Sequence, residues 1–170
     1  MNGAIYEREL AQILSGDSRK VLNIFRRRGI GSATAQRFCE KPFFVTRSAG
    51  SQGADIIAVR DDISLIIEVK SSGRNSIVFS ESSGKRQEQA KRLNEICERS
   101  GLFLIYAYRL KGAKGDPWRL FCMKSDPKGR MRFIYNLFPK VSESRNGNFN
   151  LKWEEGFQLT DFLEYAATTK

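Results

Sequence analysis

The chain has 170 residues and a formal net charge of +10, enough length for one domain with a substantial core. It contains no histidine, which excludes Ser-His-Asp and Cys-His hydrolases, His-dependent nucleases and imidazole-built zinc sites; acid–base work falls to carboxylates, lysine, tyrosine or metal-bound water. Cys39, Cys97 and Cys122 are too scattered for a disulfide framework or zinc pattern, and no apolar run reaches the roughly 18 residues of a spanning helix, so a soluble, intracellular, cytoplasmic protein with no membrane partner is expected.

Ile5, Tyr6, Leu10, Ile13 and Leu14 form an apolar stripe near 3.6 periodicity over residues 4–14, a helix stopped by Ser15-Gly16. Ser18 is placed to cap a second helix running through residue 28, with Val21, Leu22, Ile24 and Phe25 as its apolar face. A short third helix over 33–39 stops before Pro42. Residues 43–47 read as a strand that enters the Ser/Gly loop 48–53. Two apolar strands follow, 55–60 and 63–70, turned at Asp61-Asp62. Next come a short strand at 77–79 and a helix over 84–99, with Ala90, Leu93, Ile96 and Cys97 on its buried face and Gly101 as C-cap. Strands at 102–108 and 118–123 flank a glycine-containing loop, Asn146-Gly147-Asn148 marks a turn, and 159–167 closes the chain as a helix. This order predicts an α/β fold, a central mixed β-sheet flanked by helices, with residues 1–170 as one domain.

Side chains alternate across a strand, so Ile63, Leu65, Ile67 and Val69 share one face while Ser64, Ile66, Glu68 and Lys70 share the other. Pairing the strands 55–60 and 63–70 as a hairpin brings Asp55 close to Glu68 and Lys70. Two carboxylates and an ammonium at the end of a buried hairpin are costly unless they hold a cation. That points to a magnesium-dependent phosphodiesterase site. A Glu-x-Lys triplet alone is common on solvated strands; the preceding Asp55 and the apolar setting distinguish this one. The positive charge is clustered as well. Residues 19–47 hold eight Lys/Arg against Glu40, and residues 109–132 hold eight more against Asp116 and Asp126. Basic stretches interleaved with aromatics suit a polyanion that also offers stacking surfaces.

The segments Tyr6-Glu-Arg-Glu-Leu10, Val45-Thr-Arg-Ser-Ala-Gly-Ser51, Asp55, Ile66-Ile-Glu-Val-Lys70, Lys85 to Leu93 with its Gln89, and Trp118-Arg-Leu-Phe121 occur in that order. Together they resemble the archaeal-type Holliday junction resolvases of the PD-(D/E)xK nuclease superfamily, which implies a restriction-endonuclease-like core. Two departures stand out. Ala54 occupies the position of the family's proline, and residues 16–42 look like a helical insertion between the first helix and the first strand.

The resemblance implies an endodeoxyribonuclease that resolves four-way DNA junctions by paired nicks. Asp55 and Glu68, joined by the Val69 carbonyl, would ligate Mg²⁺, with Mn²⁺ able to substitute, and Glu7 would complete the shell. Lys70 would position the attacking water and offset charge on the phosphate, and Ser51 is implied beside the scissile bond. Glu9, about 200° around the helix from Glu7, is expected to be solvated. Arg26, Arg27 and Arg28 in the insertion, with Arg47, Ser48, Lys85, Arg86 and Gln89, are the expected DNA contacts. A two-fold substrate suggests a homodimer; the apolar residues of 102–108 and 118–123 suit either a dimer interface or a protomer core. Competing readings are a restriction- or repair-type nuclease on duplex DNA and a catalytically inactive DNA-binding relative.

Overall fold

The computed structural model describes residues 3–48, 53–79 and 84–169. It opens with three helices, α1 (Gly3–Leu14), α2 (Ser18–Arg27) and α3 (Ser32–Glu40). Gly16 makes the first turn at a φ of +79°, where a Cβ would also meet the Pro42 ring at 2.8 Å, so glycine is required there. The cap of α2 is Asp17 rather than the expected Ser18. Its carboxylate accepts from the Lys20 N–H at 3.1 Å, and Ser18 is already helical. An ionised acceptor also complements the positive end of the helix, which a serine hydroxyl does not.

The remaining elements are β1 (Phe44–Arg47), β2 (Ile56–Val59), β3 (Ser64–Ser72), β4 (Ser76–Val78), α4 (Gly84–Arg99), β5 (Leu104–Leu110) and β6 (Trp118–Cys122), then α5 (Arg130–Leu137), β7 (Ser142–Glu143), β8 (Phe149–Lys152), β9 (Phe157–Gln158) and α6 (Leu159–Thr168). The main sheet runs β1-β2-β3-β5-β6-β9. All its pairings are antiparallel except β3–β5, a parallel pair joined by the crossover that contains α4. The expected mixed α/β sheet is therefore present. The strand expected at 77–79 does not join it: β4 pairs with β8 in a separate sheet of order β4-β8-β7.

The alternation expected in β3 divides the core. Leu65 and Ile67 face a larger core with Leu10, Phe25, Phe38 and Phe162 from the helices on one side of the sheet. Ile66 faces a smaller core with Ala90 and Cys97 of α4 and with Phe149 and Leu151 of β8. In β5, Leu104 through Tyr108 are all buried, which is why this strand shows no alternation in sequence. Those apolar residues therefore lie in the protomer core. Ile96, expected on the buried face of α4, is 49% exposed, and Asn94 is buried instead. The Asn94 amide accepts from the Leu104 N–H at 2.9 Å and donates to the Lys124 carbonyl at 3.1 Å, tying α4 to β5. A buried asparagine with both ends satisfied leaves no mark in a hydrophobic pattern.

Candidate active site

Register brings the hairpin carboxylates together. β2 pairs with β3 through Ile56–Ile67, so one further step sets Asp55 opposite Glu68 at the open end of the hairpin. Asp55 is locked there, because its Oδ2 accepts from the Val69 N–H at 2.7 Å. Glu68 and Lys70 leave β3 by the face that α4 covers, and the Lys70 ammonium stands 3.0 Å from Glu68 Oε1. Parallel pairing places Tyr106 of β5 beside Glu68 and Tyr108 beside Lys70. Tyr106 is buried, and its hydroxyl is pushed up by desolvation and by the nearby Glu68 and Asp55. Its place next to the carboxylates was not read from the sequence, since it depends on which strand lies beside β3.

Electrostatics mark the same point. Burial pushes the Asp55 carboxyl up to about 6, and Glu68 and Glu7 add to the rise against the Val69 N–H and Lys70. Glu68 Oε1 takes the lysine, but Oε2 is buried with no hydrogen-bond partner among the described residues. A buried carboxylate oxygen left unpaired is costly, and such orphans call for a missing partner. A cation is one partner that would satisfy it, and hard oxygen donors of this kind fit Mg²⁺. Among the described residues no three carboxylate, thiol or imidazole side chains are close enough to hold an ion by themselves. Asp55 and Glu68 thus form a two-carboxylate donor set, suited to an ion that keeps several of its waters.

Glu7 approaches from α1 and is held by Arg47, whose guanidinium lies 3.2 Å from Glu7 Oε2. Arg47 ends β1, and the next residue, Ser48, donates its backbone N–H to the Asp55 carbonyl at 3.0 Å. Ser51 lies outside the described residues. On the other side, a cleft of about 130 Å³ is lined by Glu68, Lys70, Tyr106, Arg86 and Gln89. The structure therefore brings Arg86 and Gln89 of α4 to the carboxylates. Lys85 is exposed at the start of the same helix.

The arginine run in α2 is divided. Arg26 is exposed, Arg27 donates to the Ala113 carbonyl at 2.8 Å, and Arg28 pairs with Asp161 of α6 at 3.4 Å. Glu9 is not solvated as expected. It accepts from Arg109 at 3.1 Å and from the Trp118 indole N–H at 3.2 Å. Glu7 and Glu9 do diverge around α1, but the second meets the far strands of the sheet rather than water, because α1 lies across the sheet.

Among the described residues no helix is long and apolar enough to cross a membrane. A model of the archaeal Holliday junction resolvase family matches residues 25–170. The match begins within α2, so α1 and Glu7 precede it. The solved structure of Hjc, a Holliday junction resolvase from the hyperthermophile Archaeoglobus fulgidus, superposes with a TM-score of 0.51 at 17% identity, covering 96% of each chain. At that identity the likeness speaks for the fold. No curated protein matches the sequence significantly.

Proposed function

This chain belongs to the archaeal Holliday junction resolvase family, and we propose that it resolves four-way DNA junctions by Mg²⁺-dependent hydrolysis at Asp55, Glu68 and Lys70. The observation that carries the metal dependence is Glu68 Oε2, buried and without a partner among the described residues, beside an Asp55 whose carboxyl is raised to about 6. When bound, Mg²⁺ supplies Lewis acidity and lowers the pKa of coordinated water; Mn²⁺ has the same preference for oxygen donors and would substitute.

The protein's own groups do the positioning. Asp55 cannot swing away, being bound to the Val69 N–H. Lys70, already within 3.0 Å of Glu68, is placed to orient the attacking water and to offset charge on the phosphate. Gln89 and Arg86 face the same cleft and would hold phosphate oxygens of the strand being cut, with Lys85 further along the backbone. Glu7 would join the centre through water or after Arg47 turns to a phosphate, and the Val69 carbonyl would add a further oxygen donor; Ser48 and Ser51 are carried as phosphate contacts by the family resemblance alone. Paired cuts in a two-fold substrate need two such centres, supplied by a homodimer. A DNA substrate places the enzyme inside the cell, in the cytoplasm.

Cleavage of a labelled four-way junction and its matched linear duplex, in Mg²⁺ and in EDTA, tests this for the wild type and Glu68→Ala. The expected result is symmetrical nicks at the junction, absent in EDTA and in the variant, which still binds. Equal cutting of the duplex would remove the junction selectivity, and cutting in EDTA would remove the metal. Sedimentation showing monomer alone would remove the dimer.

A further inference from the structure

A second basic recess lies across the sheet from the cleft. β3 and β5 are parallel and their antiparallel neighbours β2 and β6 run the other way, so the hairpin end with Asp55, the ends of β3 and β5 and the start of β6 share one rim. Lys70 pairs with Tyr108 at that rim, and Arg109 is the next residue of β5, leaving by the opposite face. There its guanidinium lies over the Tyr6 ring, 4.5 Å from the centroid, and binds Glu9. Helix α2 passes alongside with Lys20, Asn23 and Arg27 on one stripe, at positions i, i+3 and i+7. Glu9, Lys20, Asn23, Arg27 and Arg109 line a cavity of about 220 Å³.

The recess is positive and partly fixed. Its one carboxylate, Glu9, has both oxygens on Arg109 and one also on the Trp118 indole N–H. Arg27 is held by the Ala113 carbonyl at 2.8 Å, in a loop that also presents the exposed Lys111 and Lys114. That loop is pinned to the sheet where the Leu110 N–H donates to Pro117 and the Lys111 N–H donates to Ser72. No step of the hydrolysis uses Lys20, Asn23, Arg27 or Arg109.

We propose that this recess is a second DNA-binding site, holding a backbone phosphate of the junction away from the scissile bond. DNA crossing the rim from the cleft meets the recess on the other face of the sheet. The assignment rests on the reading of the chain as a junction nuclease.

Lys20→Glu is the test, because Lys20 is exposed and α2 retains its packing face without it. Junction binding is measured in EDTA over a range of salt, with phosphate-ethylation interference, and the thermal midpoint verifies folding. The wild type should show two groups of interfering phosphates, one about the scissile bond and one apart from it. Lys20→Glu should weaken binding about tenfold, lower the salt slope by about 1 and lose only the second group, and Lys20→Arg should restore it. Unchanged affinity and an unchanged interference pattern in Lys20→Glu would overturn the recess while leaving the catalytic reading intact. Failure of the wild type to bind the junction would overturn both.

Discussion

Replacing Asp55 by asparagine should stabilise the metal-free protein while abolishing its chemistry. The carboxyl rises from 3.8 to about 6, chiefly through desolvation and then through Glu68 and Glu7. In a sealed site such a rise is worth about 3 kcal/mol, and solvent entering by the cleft brings the effective figure to about 1–2 kcal/mol. Between pH 3.8 and about 6 the folded chain binds more protons here than the unfolded chain. Stability from this group therefore falls as pH rises through that window, and the full penalty stands above it. Asparagine carries no charge, and its Oδ1 can still accept from the Val69 N–H. In EDTA at about pH 7.5, Asp55→Asn should be more stable than wild type by about 1–2 kcal/mol, and the gain should vanish by about pH 4. Urea unfolding with an unchanged m-value measures the difference, and junction cleavage in Mg²⁺ should be lost in parallel. A variant no more stable at the higher pH, or a gain that ignores pH, would refute the idea of a desolvated carboxylate held against its preference.

Because proton and cation compete for Asp55, the Mg²⁺ needed for half-maximal cleavage should rise about tenfold per pH unit below about 6; a flat dependence would remove Asp55 from the donor set. Asp116 is fully buried and accepts from the Trp118 N–H, the Thr160 N–H and the Thr160 hydroxyl, so Asp116→Ala should cost about 3–5 kcal/mol in denaturant unfolding. At Gly156 a Cβ would come within 2.4 Å of Arg119 Cβ and 2.7 Å of the Phe121 ring. Gly156→Ala should therefore lower stability by about 1–3 kcal/mol, seen as a lower thermal midpoint with cleavage intact below it.

The part of the site that was legible in sequence is the part built by neighbours along the chain. Asp55, Glu68 and Lys70 lie on one hairpin, so a period of two and a two-residue turn suffice to bring them together. The orientation of α1 was not legible in the same way. Glu7 and Glu9 are two residues apart on a polar helix start, and their partners, Arg47 and Arg109, stand on different strands, β1 and β5, under the same helix. Nothing local distinguishes a glutamate that faces a carboxylate cluster from one that seals an arginine against Trp118. Asn94 and Ile96 make the same point on α4. An apolar pattern assigned burial to the isoleucine, whereas a backbone N–H of β5 that needed an acceptor drew in the asparagine.

By itself, then, the sequence determined the local elements, the mixed α/β class, the positive charge and the meeting of Asp55, Glu68 and Lys70 on one hairpin. These follow from short-range sterics, periodicity and the cost of burying charge, all of which act between residues close in the chain. Only the tertiary structure decided that Tyr106 lies beside Glu68, that β4 leaves the main sheet for β8, and that Arg109 and helix α2 enclose a recess across the rim. Strand order and helix placement depend on contacts between residues far apart in sequence. Those contacts are selected by the packing of the whole core rather than by any segment's own preference.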